Sequence, residues 1–354
     1  MGFFDMFTQK IGIDLGTSNT LVYVNNRGIT VNEPSVVAIK VSSNEVCAVG
    51  VAAKAMLDRT PKSINAIRPL QNGVIADFEI TRVMIKYFIE KALNKKRLIK
   101  SNIVICVPVG VTSIERRAVE EVAYDAGAKK VKLVEEPMAA AIGAGLNVEL
   151  PVGNMIIDIG GGTTEIAVIS LGGIVVSDSL RMAGDDMDVN IKDYIKIKYK
   201  MEIGLVTAEK IKMTIGNASK KFYSMNHYVK DEKDEKNEND EKKSRQNYEQ
   251  KMDIRGRDIV SGLPLNITVT SDEIREAIIE TVNSIVNAIK RVLEKTPPEL
   301  SSDIYSNGIY LTGGGALLKG LDIYIEKETG LKVFIADSPL NSVALGAGKI
   351  CESL

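Results

Sequence analysis

Ile13-Asp14-Leu15-Gly16-Thr17-Ser18-Asn19-Thr20 lies near the start of the chain, and Ile157-Asp158-Ile159-Gly160-Gly161-Gly162-Thr163-Thr164 lies near its middle. In both, an apolar run delivers an aspartate, and one residue later the chain enters a polar turn rich in glycine, serine and threonine. Lys10–Leu15 precedes the first turn and Leu21–Val24 follows it. Met155–Asp158 precedes the second and Glu165–Ser170 follows it. Each copy reads as strand, tight turn, strand. Two matching units so far apart predict a duplicated architecture, while the absence of a period of about 20–50 residues excludes a solenoid. A third glycine turn, Gly313-Gly314-Gly315, follows a predicted strand over Gly308–Thr312.

The surrounding pattern alternates strands with helices, which predicts an α/β fold. Ile103–Val107 is a continuous apolar, β-branched run ended by Pro108, as in the middle of a parallel sheet. Thr112 and Glu115 have capping-box spacing ahead of a helix striped by Ala118, Val122 and Ala126, which Gly127 can end. A helix is also predicted over Thr81–Leu93. The longest predicted helix is Asp272–Lys295, with Ser271 as its cap and Pro297-Pro298 as its stop. Ile274, Ile278, Val282, Ile285, Ile289 and Val292 recur at spacings of three and four, which makes one buried face.

The chain has 354 residues, 45% of them hydrophobic, enough for two lobes of roughly 100–200 residues each. Lysine plus arginine number 45 against 46 acids, a net charge of -1. This balance argues against nucleic acid as a partner, since phosphate neutralisation needs a basic surface. The three cysteines, Cys47, Cys106 and Cys351, are far apart, and His227 is the sole histidine. A disulfide framework or structural zinc site is not expected, and a reducing cytoplasm fits best. Cys106 reads as a small buried hydrophobe. No apolar run is long enough to span a bilayer, and the start of the chain does not read as a signal peptide. Between 230 and 251 nearly every residue is charged or amide-bearing. Such a stretch buries too little apolar area to offset ordering entropy, so a disordered surface insertion is expected.

Backbone N–H groups and hydroxyls of Gly/Ser/Thr turns can approach phosphate oxygens. Two facing turns could clamp a triphosphate tail, and the carboxylates of Asp14 and Asp158 suit a hydrated Mg²⁺. Other phosphate-binding patterns fail. Gly348-Lys349 is followed by Ile350, and Val343 stands where a P-loop needs its first glycine. Gly160-Gly161-Gly162 lacks the last glycine of a dinucleotide fingerprint and runs into a strand. Protein-kinase motifs are absent.

Asp14–Thr20, Asp158–Thr164 and Tyr310–Gly315 resemble the two phosphate motifs and the adenosine motif of the actin, DnaK-type chaperone and sugar-kinase superfamily. Within it the chain is similar to MreB almost end to end. The similarity is carried by Asn32-Glu33-Pro34-Ser35, Ala66-Ile67-Arg68-Pro69, Gly73-Val74-Ile75-Ala76-Asp77, Glu135-Glu136-Pro137-Met138-Ala139-Ala140-Ala141, Gly256-Arg257-Asp258 with Gly262-Leu263-Pro264, and Glu294-Lys295-Thr296-Pro297-Pro298-Glu299-Leu300. The charged insertion is the main departure.

This resemblance implies an actin-like ATPase fold, two lobes each with a mixed sheet flanked by helices and the nucleotide in a central cleft. Subdomain IA would comprise 1–32, 78–148 and 333–354, and IB 33–77. IIA would comprise 149–183 and 262–332, and IIB 184–261. ATP and Mg²⁺ are the implied cofactors, with Asp14 and Asp158 holding the metal through waters. Gly16, Thr17, Ser18 and Asn19, with Gly160, Gly161, Gly162 and Thr163, would meet the phosphates. Glu209 and Lys212 match nucleoside contacts, and Gly313, Gly314 and Gly315 the adenosine turn. Glu136 and Thr163 match the pair that positions the attacking water, in line with phosphoryl transfer being mostly positioning.

The resemblance further implies slow hydrolysis coupled to head-to-tail filaments of the protein itself, a contact that does not close. Control of bacterial cell shape would follow, with membrane shape or wall-synthesis proteins as further partners. Apolar Phe3, Phe4, Met6 and Phe7, and Leu98 and Ile99 among Lys95, Lys96, Arg97 and Lys100, suit the inner face of an anionic membrane. A peripheral cytoplasmic location is therefore expected. The rival reading is a small-molecule kinase or chaperone-type ATPase of the same superfamily. A chaperone would need a substrate-binding domain beyond the segment Ala344-Leu345-Gly346-Ala347-Gly348, and none is expected there.

Overall fold

A computed structural model describes residues 9–94, 101–219 and 250–353. The apolar groups Phe3, Phe4, Met6, Phe7, Leu98 and Ile99 lie outside the described residues, as does nearly all of the charged insertion.

Both predicted strand–turn–strand units are present. Gln9–Leu15 pairs antiparallel with Asn19–Val24, and Asn154–Ile159 pairs antiparallel with Thr164–Ser170. Each unit is the centre of a five-stranded mixed sheet, and the two sheets repeat one plan. In the first, Gln9–Leu15 runs parallel to Ser101–Val107, which runs parallel to Ala128–Glu135. Gly28–Pro34 adds to the other edge. In the second, Asn154–Ile159 runs parallel to Ile309–Thr312, which runs parallel to Val333–Ile335, and Gly173–Leu180 closes the other edge.

The continuous apolar run of Ser101–Val107 has a physical reason. Ile103, Ile105 and Val107 face one apolar core with Ile11, Ile13 and Phe88. Val104 and Cys106 face another, with Ala139, Ala140, Ile156, Ala167, Val343 and Ala347. A strand buried on both faces cannot alternate with polar residues. The second core holds the helices Glu136–Gly143 and Ser342–Glu352, and it joins the two sheets in one unit. These helices approach closely through glycine: a Cβ added at Gly346 would fall 1.8 Å from the Ala139 carbonyl oxygen.

The helix Ser113–Asp125 carries the expected capping box between Thr112 and Glu115. The helix expected over Thr81–Leu93 runs from Phe78 to Ala92, because the Asp77 carboxylate accepts from the Ile80 N–H and starts it earlier. The long helix spans Ser271–Lys295. All six stripe residues are buried, none more than 1% exposed. Its cap is Thr270, not Ser271. The Thr270 N–H donates to Glu273 Oε2 at 2.8 Å, and the Glu273 N–H donates back to Thr270 Oγ1 at 3.4 Å.

The chain divides into two compact units. The first comprises residues 1–186, 284–316 and 331–354 and carries both five-stranded sheets. The second comprises 187–283 and 317–330. It contains the antiparallel sheet Met201–Glu202, Lys251–Asp258 and Pro264–Thr270, with the helix Leu205–Ile215 beside it.

Candidate functional site

Within the first unit the two glycine turns meet. A Cβ added at Gly161 would lie 2.0 Å from Ser18 Oγ, and one at Gly162 would lie 2.9 Å from Thr17 Oγ1. Only hydrogen at these positions allows the turns to approach so closely. Thr17 Oγ1 accepts from the Gly73 N–H at 3.0 Å, and Ser35 Oγ donates to the Gly16 carbonyl at 2.7 Å. Within the second turn, the Gly160 N–H donates to the Thr163 carbonyl at 2.8 Å. The third turn joins them. A Cβ at Gly313, where φ is +79°, would fall 2.5 Å from Asp158 Oδ1, and one at Gly315 would fall 2.2 Å from Ile159 Cγ2. Gly314 stands between them.

Asp185 stitches the two turns together. Its Oδ1 accepts from Ser18 Oγ at 3.2 Å, while its own N–H donates to the Gly161 carbonyl at 2.7 Å. Its Oδ2 accepts from Arg68 Nη1 at 2.8 Å. Neither Asp185 nor Arg68 is singled out for the site by sequence reasoning. Arg68 lies in one of the resemblance motifs, and Asp185 lies in the first turn of the helix Gly184–Tyr199.

Four carboxylates share this region. Burial raises Asp158 to about 7. Asp14 is raised to about 8, first by burial and then by the charge of Asp158. Glu136, the first residue of its helix and buried, is pushed well above the carboxylate range by burial and by Glu165, Asp14 and Asp158. Glu165 stands directly across the strand pair from Asp158 and is raised to about 7 by burial. Hydrogen bonds from Ser179 Oγ at 2.6 Å and the Val109 N–H at 3.1 Å oppose that rise. Sequence reasoning missed Glu165. Thr163 is buried, and its Cγ2 would lie 2.9 Å from a Cβ at Gly73.

Asp14, Gly16, Thr17, Ser18, Glu136, Asp158, Gly160, Gly161, Gly162, Thr163, Gly313, Gly314 and Gly315 thus fall in one unit, on the three turns or in the field of their acids. Asn19 opens its strand and is exposed. Glu209 and Lys212 lie on the helix Leu205–Ile215 of the second unit, where Lys212 Nζ is 2.8 Å from Asp188 Oδ1.

The donor set suits a hydrated divalent cation. Acids lifted this far by burial gain from a counter-charge. Among the described residues no three acids, thiols or imidazoles are grouped to ligate an ion directly. Asp14 and Asp158 could hold such a cation through its waters, the way Mg²⁺ is usually held.

Two matching sheets, each delivering an aspartate into a glycine turn, with a third glycine turn packed on the second, define an actin-like fold. Known proteins agree. The MreB/Mbl protein family model matches residues 8–235 and 232–354. The cell shape-determining protein Mbl of Bacillus cereus is 49% identical over 349 residues, 99% of this chain and 97% of that protein. The cell shape-determining protein MreB of Escherichia coli is 48% identical, covering 99% of this chain and 95% of its own. MreB5 of Spiroplasma citri bound to ADP superposes with a TM-score of 0.86 at 40% identity, covering 98% of this chain and 96% of its own. The MamK double helical filament, at 21% identity and a TM-score of 0.77, shares the fold. The chain belongs to the MreB/Mbl family.

Proposed function

We propose that this protein is a cytoskeletal ATPase that assembles with itself into filaments at the inner face of the membrane and controls bacterial cell shape. The observation that carries the reading is the meeting of the two aspartate-bearing turns, Gly161 against Ser18, with Asp158 close enough for its charge to raise Asp14. Relatives named as cell shape-determining proteins, and MreB5 structures bound to ADP and to AMPPNP, support it.

In this reading backbone N–H groups and hydroxyls of Gly16–Asn19 and Gly160–Thr163 hold the phosphates, and Gly313–Gly315 supports the adenosine. Glu209 and Lys212 are proposed as nucleoside contacts. Asp14 and Asp158 would hold Mg²⁺, and bound Mg²⁺ would supply the charge that lets acids and phosphates share a site. Glu136 and Thr163 orient the attacking water. A carboxylate raised above its usual range is a competent proton acceptor near neutral pH. No arginine is assigned to the transition state, so turnover is slow.

The test is sedimentation of purified protein with Mg-ATP, with and without anionic liposomes, followed by electron microscopy. Filaments should form with Mg-ATP, and liposomes should recruit them. A protein that stays monomeric in every nucleotide and lipid condition contradicts the filament reading. A substrate-dependent burst of ADP would instead favour a small-molecule kinase.

A further inference from the structure

A groove of about 740 Å³ lies apart from the three turns, between the strand Ala128–Glu135, the helix Glu136–Gly143, the loop after it and the end of the helix Ser342–Glu352. Met138, Ile142, Leu146, Leu150 and Ile350 give it an apolar floor. These side chains are not sealed, and Leu150 is 50% exposed. An apolar concavity of this size is the usual form of a binding site.

The start of the chain points to its occupant. Lys10 Nζ donates to the Glu352 carbonyl at 2.8 Å. Ser353, the next residue, lines the groove. The first described strand therefore begins beside the groove's mouth, with residues 1–8 of the chain preceding it. Eight extended residues reach about 26 Å. The groove needs less: Lys132–Glu135 spans about 10 Å of strand, and Lys349–Ser353 about 6 Å of helix.

The composition of the segment matches the groove. Phe3, Phe4, Met6 and Phe7 are large and apolar, and Asp5 is the only acid before Gln9. The groove offers apolar walls with Lys132 and Lys349 for Asp5. We propose that residues 1–8 dock in this groove of their own subunit, seating the phenylalanines against Met138, Ile142 and Leu150. The docking belongs to the isolated subunit and does not rest on the filament reading. A docked segment is withheld from any other surface, so the groove acts as an internal competitor for it.

The chain contains no tryptophan, so Phe4→Trp in the full-length protein adds a single reporter. In nucleotide-free monomer its emission should be blue-shifted, and its acrylamide quenching constant several-fold below that of a free tryptophan derivative. Both should be unchanged on tenfold dilution. Adding Leu150→Lys or Lys132→Glu, each at an exposed position, should move emission and quenching toward solvent values with the far-UV circular dichroism unaltered. Solvent-like emission in Phe4→Trp alone overturns the proposal. So does protection that disappears on dilution, which assigns the groove to a second copy. Protection that survives both groove variants also overturns it, by placing the segment elsewhere.

Discussion

Replacing Asp158 with asparagine should stabilise the nucleotide-free protein at neutral pH and remove its response to magnesium. Asp158 is only 7% exposed, and burial lifts it from 3.8 to about 7. Asp14 rises from 3.8 to about 8, by burial and then by the charge of Asp158. Both folded values exceed the unfolded value, so the folded state binds more protons across the window from about 4 to 8. Stability is therefore greatest at the acid end and falls as pH rises through it. Each tenfold change in proton affinity is about 1.4 kcal/mol, so above pH 7 the ionised Asp158 costs the fold on the order of 4 kcal/mol. Asparagine removes that charge but leaves a buried amide, worth about 1–3 kcal/mol if it finds no partner. The net gain is on the order of 2 kcal/mol.

The assay is thermal unfolding in EDTA at pH 5 and pH 8. A chain of two compact units need not unfold in one step, so midpoints of the two proteins are compared under identical conditions. At pH 8 the variant should melt several degrees higher, since about 1 kcal/mol moves a midpoint by 2–4 °C even in a 150–250-residue domain. At pH 5 the gap should narrow. Magnesium with nucleotide at a hundredfold excess over Kd should stabilise the parent by about 2.7 kcal/mol and the variant by much less. A parent that grows more stable from pH 5 to 8 in EDTA, or a variant that melts lower at pH 8, would refute the reasoning.

Glu136→Ala should slow phosphate release by about 100-fold or more, the scale of a lost proton acceptor, while nucleotide affinity stays within a few-fold. An unchanged rate takes Glu136 out of the chemistry. Gly161→Val should weaken fluorescent-nucleotide binding at least tenfold, because its Cβ would sit 2.0 Å from Ser18 Oγ and 2.8 Å from Ser18 Cβ. Undiminished affinity would show that the turns do not act together. Thr112→Ala removes the hydroxyl half of a complete capping box and should cost about 1 kcal/mol in urea unfolding. No loss would mean that the box contributes nothing net.

The parts of the fold legible in the sequence are those set by local pattern. Each strand–Asp–turn–strand unit is written in consecutive residues, and the stripe from Ile274 to Val292 needs only helical periodicity. The cap of that helix was legible too: Thr270-Ser271-Asp272-Glu273 has the spacing of a capping box, whereas Ser271 has Ile274 in the acid's place. What the sequence withholds is pairing at a distance. Arg68 and Asp185 are 117 positions apart and meet only once the sheets have formed. Glu165 looks like an outward-facing residue in an apolar strand, yet the whole of Thr164–Ser170 is buried. Its acidity belongs to the site, a fact that only the register opposite Asp158 reveals.

The placement of the chemistry follows from the duplicated sheets. Asp14 is the penultimate residue of the strand Gln9–Leu15, and Glu136 follows the strand Ala128–Glu135. Asp158 is the penultimate residue of Asn154–Ile159, and Gly313 follows Ile309–Thr312. The Val109 N–H that meets Glu165 comes just after Ser101–Val107. Every one of these groups sits at the carboxyl end of a parallel strand, where open α/β sheets bind ligands. Repeating the sheet repeats the aspartate, and joining the repeats through one apolar core brings two acids, then four, into poorly solvated surroundings. Among the described residues, Asp14, Asp158 and Glu136 are shifted by burial and by other acids, with no lysine or arginine contributing. A polyphosphate alone would add like charge to that field. Under the proposed function the fold would couple the two ligands: the turns would supply donors for phosphate, the acids would supply seats for a cation, and neither ligand would be well held without the other.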